Sequence, residues 1–398
     1  MNKETVLSSL GILPKEEMLE VKRDFKQLLI GVPKESSFQE NRISLTPDSV
    51  GLLIDSGHSV IVENNAGEAS NFSNQEYIDK GAEIVFSKNE VYKANIIVKI
   101  EPPTSKEISL MHNNQKLISA VQINTQSKEF FNKLNKKNIT SFGYEFIKDN
   151  HNKLPFVRIM SEIAGNTSML IAGEYLSNIN QGKGLMLGGI SGLIPTNVVV
   201  IGAGTVGEFA CKSSLGLGAS VIVFDNSITK LRRLQNNVKN IVSTSTLQPK
   251  VLLKALKRAD VVIAALQIGN GRVPCVVTEE MVKEMKKGSV VIDVSIDQGG
   301  CFETSEVTSH KNPVFTKYDV IHYCVPNIAS RVSRTASLAI SNIITPILLT
   351  IAEEGGVRNT IRNNPSLRNG VYTYNSNLTN TILSKQFSIP YVNLDLII

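Results

Sequence analysis

Short runs of β-branched and aliphatic residues alternate along this chain with stretches whose apolar positions recur every three or four residues. The first rhythm runs through Leu28–Val32, Asp48–Gly57, Ser59–Glu63, Asn74–Gly81, Ile96–Ile100, Leu117–Val121 and Lys128–Lys136. Apolar strands alternating with amphipathic helices predict parallel βαβ units. A second rhythm begins after Pro155 with a helix over Met160–Asn178. It continues through strands at Asn197–Ile201, Ser220–Asp225, Asp260–Ala265, Ser289–Ile296 and Val320–Val325, with helices such as Ile228–Asn240 and Thr278–Lys287 between them. Helical spacing returns over Ser337–Glu354, which we expect to cross back onto the first lobe, and a polar tail closes at Leu394–Ile398.

The expected fold is therefore α/β, with two Rossmann-like doubly wound domains on parallel sheets, the first discontinuous in sequence. Residues 28–155 with 335–398 form one domain, 156–334 the other, and 1–27 an N-terminal extension. In that extension Val6, Leu7, Leu10 and Leu13 precede Pro14, and Met18, Leu19 and Val21 follow it, a pattern of one or two short helices packed on a neighbour or on the chain's own lobe.

Composition narrows the class. Over 398 residues, 42 basic and 36 acidic side chains leave a net charge of +6 without a block of like charges, so no nucleic-acid arm is implied. The apolar stretches, including Ile343–Ala352, are interrupted by Pro, Gly and Thr and fall short of the roughly 20 residues that cross a bilayer, and no secretory leader is evident. Cys211, Cys275, Cys301 and Cys324 are scattered, with no spacing suited to a metal, and read as reduced thiols of a soluble cytoplasmic protein.

One turn carries chemistry locally. The strand Val198–Ile201 runs into Gly202-Ala203-Gly204-Thr205-Val206-Gly207 and then a helix. The first glycine permits the turn, the second lets the backbone approach a pyrophosphate, and the third lets helix and strand pack closely. The next strand ends in Asp225, where a carboxylate accepts hydrogen bonds from an adenosine ribose and disfavours a 2′-phosphate, which points to NAD. A nucleotide-free Gly-rich turn is the alternative. Neither a phosphate-binding G-x-x-x-x-G-K-[ST] loop nor a G-x-S-x-G elbow occurs.

Three further segments complete a pattern: Gly31-Val32-Pro33-Lys34-Glu35 with Glu40-Asn41-Arg42-Ile43-Ser44-Leu45-Thr46-Pro47; Gly57-His58 with Asn65-Ala66-Gly67-Glu68; and Asp293-Val294-Ser295-Ile296-Asp297-Gln298-Gly299-Gly300. Together with the Gly-rich turn they resemble the alanine dehydrogenase family, related to the nucleotide-binding subunit of proton-translocating transhydrogenase, over about residues 28–355. The resemblance implies an NAD-dependent amino-acid dehydrogenase acting on a small amino or keto acid, most simply alanine, in a homo-oligomer. A transhydrogenase subunit fits least, since it needs a membrane partner. Within the likeness Arg42 matches the arginine that holds the substrate carboxylate, and Asp297 the catalytic aspartate. Besides the turn and Asp225, the cofactor is expected to meet Met160, Ser161, Lys230, Leu266, Val294, Val325 and Asn327. Two positions depart: where the family carries a substrate-binding lysine and a catalytic histidine, this chain has Glu101 and Gln122. Lys99, two residues before Glu101 and on the same face of an extended strand, is expected to reach part of the way into the pocket. His322 is the histidine nearest in sequence to the cofactor side, but it is expected to be a core or surface residue. Arg331 and Arg334 form a basic turn able to meet a second carboxylate or Glu101, or else to lie at an interface or in solvent. The departures leave open a different amino or keto acid, including one with a cationic group, and a catalytically weak NAD(H)-binding regulatory protein.

Overall fold

The structure, a computed structural model, describes residues 25–398 apart from 38, 239, 240, 269 and 270. The expected helices of the N-terminal extension lie outside these residues. Fifteen strands are present among the described residues: β1 (Leu29–Val32), β2 (Ser59–Glu63), β3 (Glu83–Val85), β4 (Ile96–Val98), β5 (Lys116–Ser119), β6 (Thr140–Gly143), β7 (Asn197–Ile201), β8 (Ser220–Phe224), β9 (Ser243–Ser245), β10 (Val261–Ala264), β11 (Val290–Asp293), β12 (Val314–Lys317), β13 (Val320–Tyr323), β14 (Val371–Tyr374) and β15 (Asn377–Leu378). They build two sheets, ordered β15-β14-β6-β5-β4-β1-β2-β3 and β12-β13-β11-β10-β7-β8-β9.

Both sheets are parallel through their centres, and each is mixed at one edge. β12 runs antiparallel to β13, and the hairpin β14–β15 adds antiparallel to β6, so the wholly parallel sheets expected from sequence are corrected at these edges. A parallel neighbour needs a crossover, whereas a tight turn returns the chain antiparallel, as Tyr318 and Asp319 do at φ 53° and 58° between β12 and β13. The hairpin also replaces much of the polar tail expected at the C-terminus, so the first sheet takes strands from both ends of the chain.

Local sequence explains the helices around the sheets. Thr46 precedes Pro47 at the start of Pro47–Asp55, where the missing N–H of proline costs nothing. Ser73 with Glu76, and Thr104 with Glu107, close reciprocal capping boxes at two further starts. The helix Pro155–Leu176 joins the lobes. Its Ala164, Met169 and Ala172 enter the core beneath β7 and β8, while Met160 and Ile163 pack on Ala329 and Ala336. At Gly165 it passes so near the helix Thr205–Gly216 that a Cβ would stand 2.5 Å from the Val206 carbonyl oxygen.

The helix Ser333–Glu353 returns to the first lobe and buries Ile340, Ile344, Leu348 and Ile351 against its sheet. Pro346 stays inside this helix rather than ending the apolar run. The helical stretch Ile328–Glu353 thus reaches 26 residues, long and apolar enough by composition to span a membrane, yet 56% of its most apolar window is buried within the protein. A core helix reads the same way by composition.

Candidate active site

The Gly-rich turn lies between β7 and the helix Thr205–Gly216 and fits a dinucleotide. Gly202 has φ +112°, and a Cβ there would fall 2.4 Å from the Ala265 carbonyl oxygen; a Cβ on Gly207 would be 1.9 Å from that of Gly202. Gly204 between them has open space, with nothing within 4 Å of such a Cβ. The cradle a phosphate needs is therefore clear, and the glycines around it are fixed by close backbone contacts. Asp225 is buried at the end of β8; its Oδ2 accepts from the Ala203 N–H (2.8 Å) and its Oδ1 from that of Ser227 (2.7 Å), which ties the turn to the neighbouring strand. Lys230 is exposed on the first turn of Ile228–Asn237. Thr205 and Val206 open the helix beside the cradle.

The remaining expected cofactor residues gather at the ends of β10, β11 and β13. The Ser295 hydroxyl donates to the Leu266 carbonyl oxygen at 2.8 Å, and the Gln298 amide joins both backbone groups of Ile268, so the loops bearing Leu266, Val294 and Asp297 are cross-linked. Val325 is buried, and Asn327 is held in the left-handed region at φ 59°. Met160 projects from the lobe-joining helix toward Arg42, with its sulfur 3.3 Å from Nη1. The Ser161 hydroxyl is turned back to the Val157 carbonyl oxygen of the same helix at 2.7 Å.

Facing this edge, Arg42 sits on the irregular segment between β1 and the first helix. Glu40 grips its guanidinium with both oxygens, Nε to Oε1 at 2.7 Å and Nη2 to Oε2 at 2.5 Å, and the Glu40 side chain is wholly buried. Burial opposes the charge on Arg42, but the Glu40 carboxylate outweighs it and raises the pKa. Asn327 donates from Nδ2 to the same Oε2 at 2.9 Å, linking the two lobes at this point. The segment is pinned from behind by serines of the C-terminal half: the N–H groups of Asn41, Ile43 and Thr46 donate to the hydroxyls of Ser330, Ser337 and Ser341 at 2.9, 2.9 and 3.0 Å. Asp297 is open to the cleft between the lobes. Desolvation by the walls of that cleft lifts its carboxyl to about 6, against the lowering effects of the Asn327 N–H and of Arg42. A carboxyl poised there exchanges protons near neutral pH.

The two departing residues meet each other. The Gln122 amide lies 3.4 Å from Glu101 Oε1, and Gln122 itself is left-handed at φ 49°, held there by Glu145, whose carboxylate accepts from the N–H groups of Val121 and Gln122 at 2.8–2.9 Å. Burial raises the Glu101 pKa and Glu40 adds to the rise, while Gln122 and Arg42 oppose it.

Lys99 lies elsewhere than expected. β4 ends at Val98, so strand alternation does not carry on to place Lys99 beside Glu101. Its ammonium is buried between Glu35 Oε2 and Glu107 Oε1, 3.1 Å from each. Burial disfavours that charge, but the two carboxylates outweigh it. Burial would likewise raise Glu107, yet Lys99, the Thr104 N–H, Lys88 and Ser36 hold it down to about 2. Glu35, with fewer donors, is pushed by burial up to about 7.

Three further residues take their structural readings. His322 is a core residue of β13, bonded to the Thr304 hydroxyl at 2.9 Å and stacked on Phe315. His310 is the histidine that reaches the site's edge, with Nε2 3.2 Å from the Asn327 carbonyl oxygen. Arg331 pairs with Glu174, and Arg334 bonds the Asn71 carbonyl oxygen above the Phe72 ring, so neither meets Glu101. Glu40, Glu35, Glu107 and Glu145 carry more of the geometry than sequence reasoning assigned them. Of these, only Glu40 had a local signal, two residues from Arg42 in an extended segment.

Comparison with known proteins agrees with this layout. Residues 31–164 match the family model described as alanine dehydrogenase/PNT, N-terminal domain, and residues 168–381 match its C-terminal domain. The chain is 38% identical to an alanine dehydrogenase of Methanococcus maripaludis over 366 residues, covering 92% of this chain and 98% of the relative. It is 36% identical to one of Bacillus subtilis, covering 92% and 96%. A solved L-alanine dehydrogenase structure superposes with a TM-score of 0.85 at 32% identity, covering 91% of this chain and 99% of the other.

Proposed function

Because the chain belongs to the alanine dehydrogenase/PNT family, we propose that it is an NAD-dependent amino-acid dehydrogenase, for which L-alanine, NAD⁺ and water give pyruvate, ammonium, NADH and a proton. One observation carries this reading: the open Gly204 cradle lies in the same lobe as Asp297 and Asn327, and Asn327 bonds the Glu40 that grips Arg42. When bound, NAD⁺ supplies a hydride acceptor; the rest falls to the protein. In this reading residues 28–155 and 335–398 hold the substrate, and 156–334 hold the cofactor.

The donors of Arg42 not engaged by Glu40 orient the substrate carboxylate, since a guanidinium presents five N–H groups in a fixed fork. Glu40 and Asn327 keep that fork from turning. Asp297, ionised above about pH 6, takes up the proton released as the α-carbon is oxidised and the nitrogen leaves. Gln122 hydrogen-bonds the substrate without exchanging protons. Holding the α-carbon in line with the acceptor supplies much of the rate. The family likeness extends the reading to a homo-oligomer in the cytoplasm.

The test is NADH oxidation with pyruvate and ammonium, together with NADH binding followed by fluorescence, on the wild type and Asp297→Asn. Turnover that collapses in the variant while NADH still binds supports the proposal. NADH binding without turnover on any amino or keto acid refutes it, and favours the second reading, a catalytically weak NAD(H)-binding protein. The observation behind that second reading is the pair Glu101 and Gln122, which leaves no histidine at this place in the pocket.

A further inference from the structure

The grip on Arg42 hangs on the backbone of one asparagine. Asn327 is left-handed at φ 59° and ψ 48°, a region that asparagine visits more readily than most side-chain-bearing residues but still uncommonly. From that conformation its amide crosses the cleft to Glu40 Oε2 at 2.9 Å. Relaxed to ordinary helical or extended backbone, the residue would turn its amide away from Glu40.

Two donors hold it in place. The Asn327 carbonyl oxygen accepts from the Ser330 N–H at 3.0 Å, within the turn that follows, and from His310 Nε2 at 3.2 Å. A carbonyl oxygen only accepts, so the His310 proton sits on Nε2 and the ring is the donor. The loop between β11 and β12 delivers that ring. Its Thr308 N–H donates to the Cys324 carbonyl oxygen at 3.0 Å and its Thr308 hydroxyl to that of Pro313 at 3.0 Å, which fastens the loop beside the end of β13.

The backbone of His310 reaches the first lobe. Its N–H donates to Gln39 Oε1 at 3.4 Å, and Gln39 is the chain neighbour of Glu40. The Gln39 carbonyl oxygen accepts from the Ser330 hydroxyl at 2.7 Å, the same hydroxyl that receives the Asn41 N–H at 2.9 Å. His310, Asn327, Glu40 and Gln39 thus close a ring across the cleft, and Arg42 is gripped at one point of it.

We propose that His310 is a positioning residue: by donating from Nε2 to the Asn327 carbonyl oxygen and from its backbone to Gln39, it closes the ring that aims Arg42 at the substrate carboxylate. The proposal rests on the amino-acid dehydrogenase reading and deepens it, naming what sets the carboxylate-binding group. It assigns His310 no proton transfer. Without the His310 donor, Glu40 still holds Arg42 through two hydrogen bonds, so the fork is loosened rather than lost. Substrate binding then weakens while the chemical step is largely kept.

The test compares His310→Leu, which removes the donor, with His310→Gln, whose amide nitrogen takes the place of Nε2, in the full-length protein. KM and kcat for L-alanine are measured at saturating NAD⁺, pyruvate binding to the NADH-bound protein by calorimetry, and NADH binding by fluorescence. We expect His310→Leu to raise the alanine KM and the pyruvate Kd about tenfold, with kcat changed less than about threefold and NADH binding kept, and His310→Gln to recover most of the loss. Gln39→Ala, which opens the ring at a different bond and leaves the histidine in place, should raise the alanine KM about threefold. Unchanged KM and pyruvate binding in His310→Leu overturn the proposal. Equal losses in the Leu and Gln variants overturn it too, and equal losses confined to kcat would make the ring a proton-transfer group. Should His310→Leu lose NADH binding, an unchanged KM in Gln39→Ala overturns it. If alanine is turned over and the variants behave as wild type, this inference fails while the dehydrogenase reading stands. If pyruvate binding follows the expected order and no amino acid reduces NAD⁺, the positioning stands and the dehydrogenase reading fails.

Discussion

Replacing Lys99 by methionine removes the one cation shared by two buried carboxylates, 3.1 Å away on either side. Breaking a buried pair by deleting one partner costs roughly 3–5 kcal/mol, because the surviving charge stays desolvated. The low end, about 3 kcal/mol, applies here, since Glu107 keeps Lys88 at 3.0 Å and Glu35 can take up a proton. With an unfolding entropy of about 2.1 cal/mol/K per residue over 398 residues, or about 0.8 kcal/mol/K, that cost lowers Tm by about 4 °C. The loss depends on pH. Glu35 is raised from 4.5 to about 7, so the folded state binds a proton that the unfolded state has released, and stability falls as pH rises through that window. Lys99 opposes that rise, so without it the window extends further upward and the deficit against wild type grows from pH 5.5 to pH 8. Thermal melts at the two pH values measure it, and adding Glu35→Gln to Lys99→Met should restore part of the loss at pH 8. A drop below about 1 °C at both pH values, or an unchanged Tm with a raised substrate KM, would refute the assignment and return Lys99 to the substrate pocket.

The glycines of the turn separate binding from folding. Gly204 has φ −75° and clear space, so Gly204→Ala should leave Tm nearly unchanged while weakening NADH binding at least about tenfold, whereas Gly207→Ala, 1.9 Å from a carbonyl oxygen, should destabilise the lobe itself; equal melting losses in the two would argue against the cradle. Asp297→Asn should lower kcat about 10²–10⁴-fold with NADH affinity retained. In the wild type, NAD⁺ reduction by L-alanine should rise with pH to a plateau above about 6, as that carboxyl ionises, and a profile flat from pH 5 to 8 would remove Asp297 from the proton path.

The central strands were legible because residues such as Val198–Ile201, Val261–Ala264 and Val290–Ile292 are buried on both faces and form continuous apolar runs. The edges were not. β3 and β9 are three residues each, β9 reads Ser-Thr-Ser, and β6 reads Thr-Ser-Phe-Gly although all four residues are buried. Their pairing partners, rather than their own composition, make them strands. In the site, the Gly-rich turn and Asp225 were visible because a local backbone conformation requires them. The buried carboxylates were hidden because an acidic residue carries no mark in sequence of whether it faces solvent or a cation; Glu107 reads as an ordinary helix-capping glutamate and also pairs with Lys99. Lys99 was misplaced because alternation was extended to Glu101, three residues past the end of β4.

The serine hydroxyls behind Arg42 tie residues 41–46 to partners as much as 295 residues later in the chain. On a ribosome adding about 5–20 residues per second, the segment bearing Arg42 therefore emerges early and waits many seconds for Ser330, Ser337 and Ser341 before its backbone N–H groups have acceptors. The order of synthesis and the order of assembly are opposed: one of the first functional side chains made is among the last to be set. A nascent chain stopped before Ser330 would carry a complete Gly-rich turn and an arginine whose backbone has none of its serine acceptors.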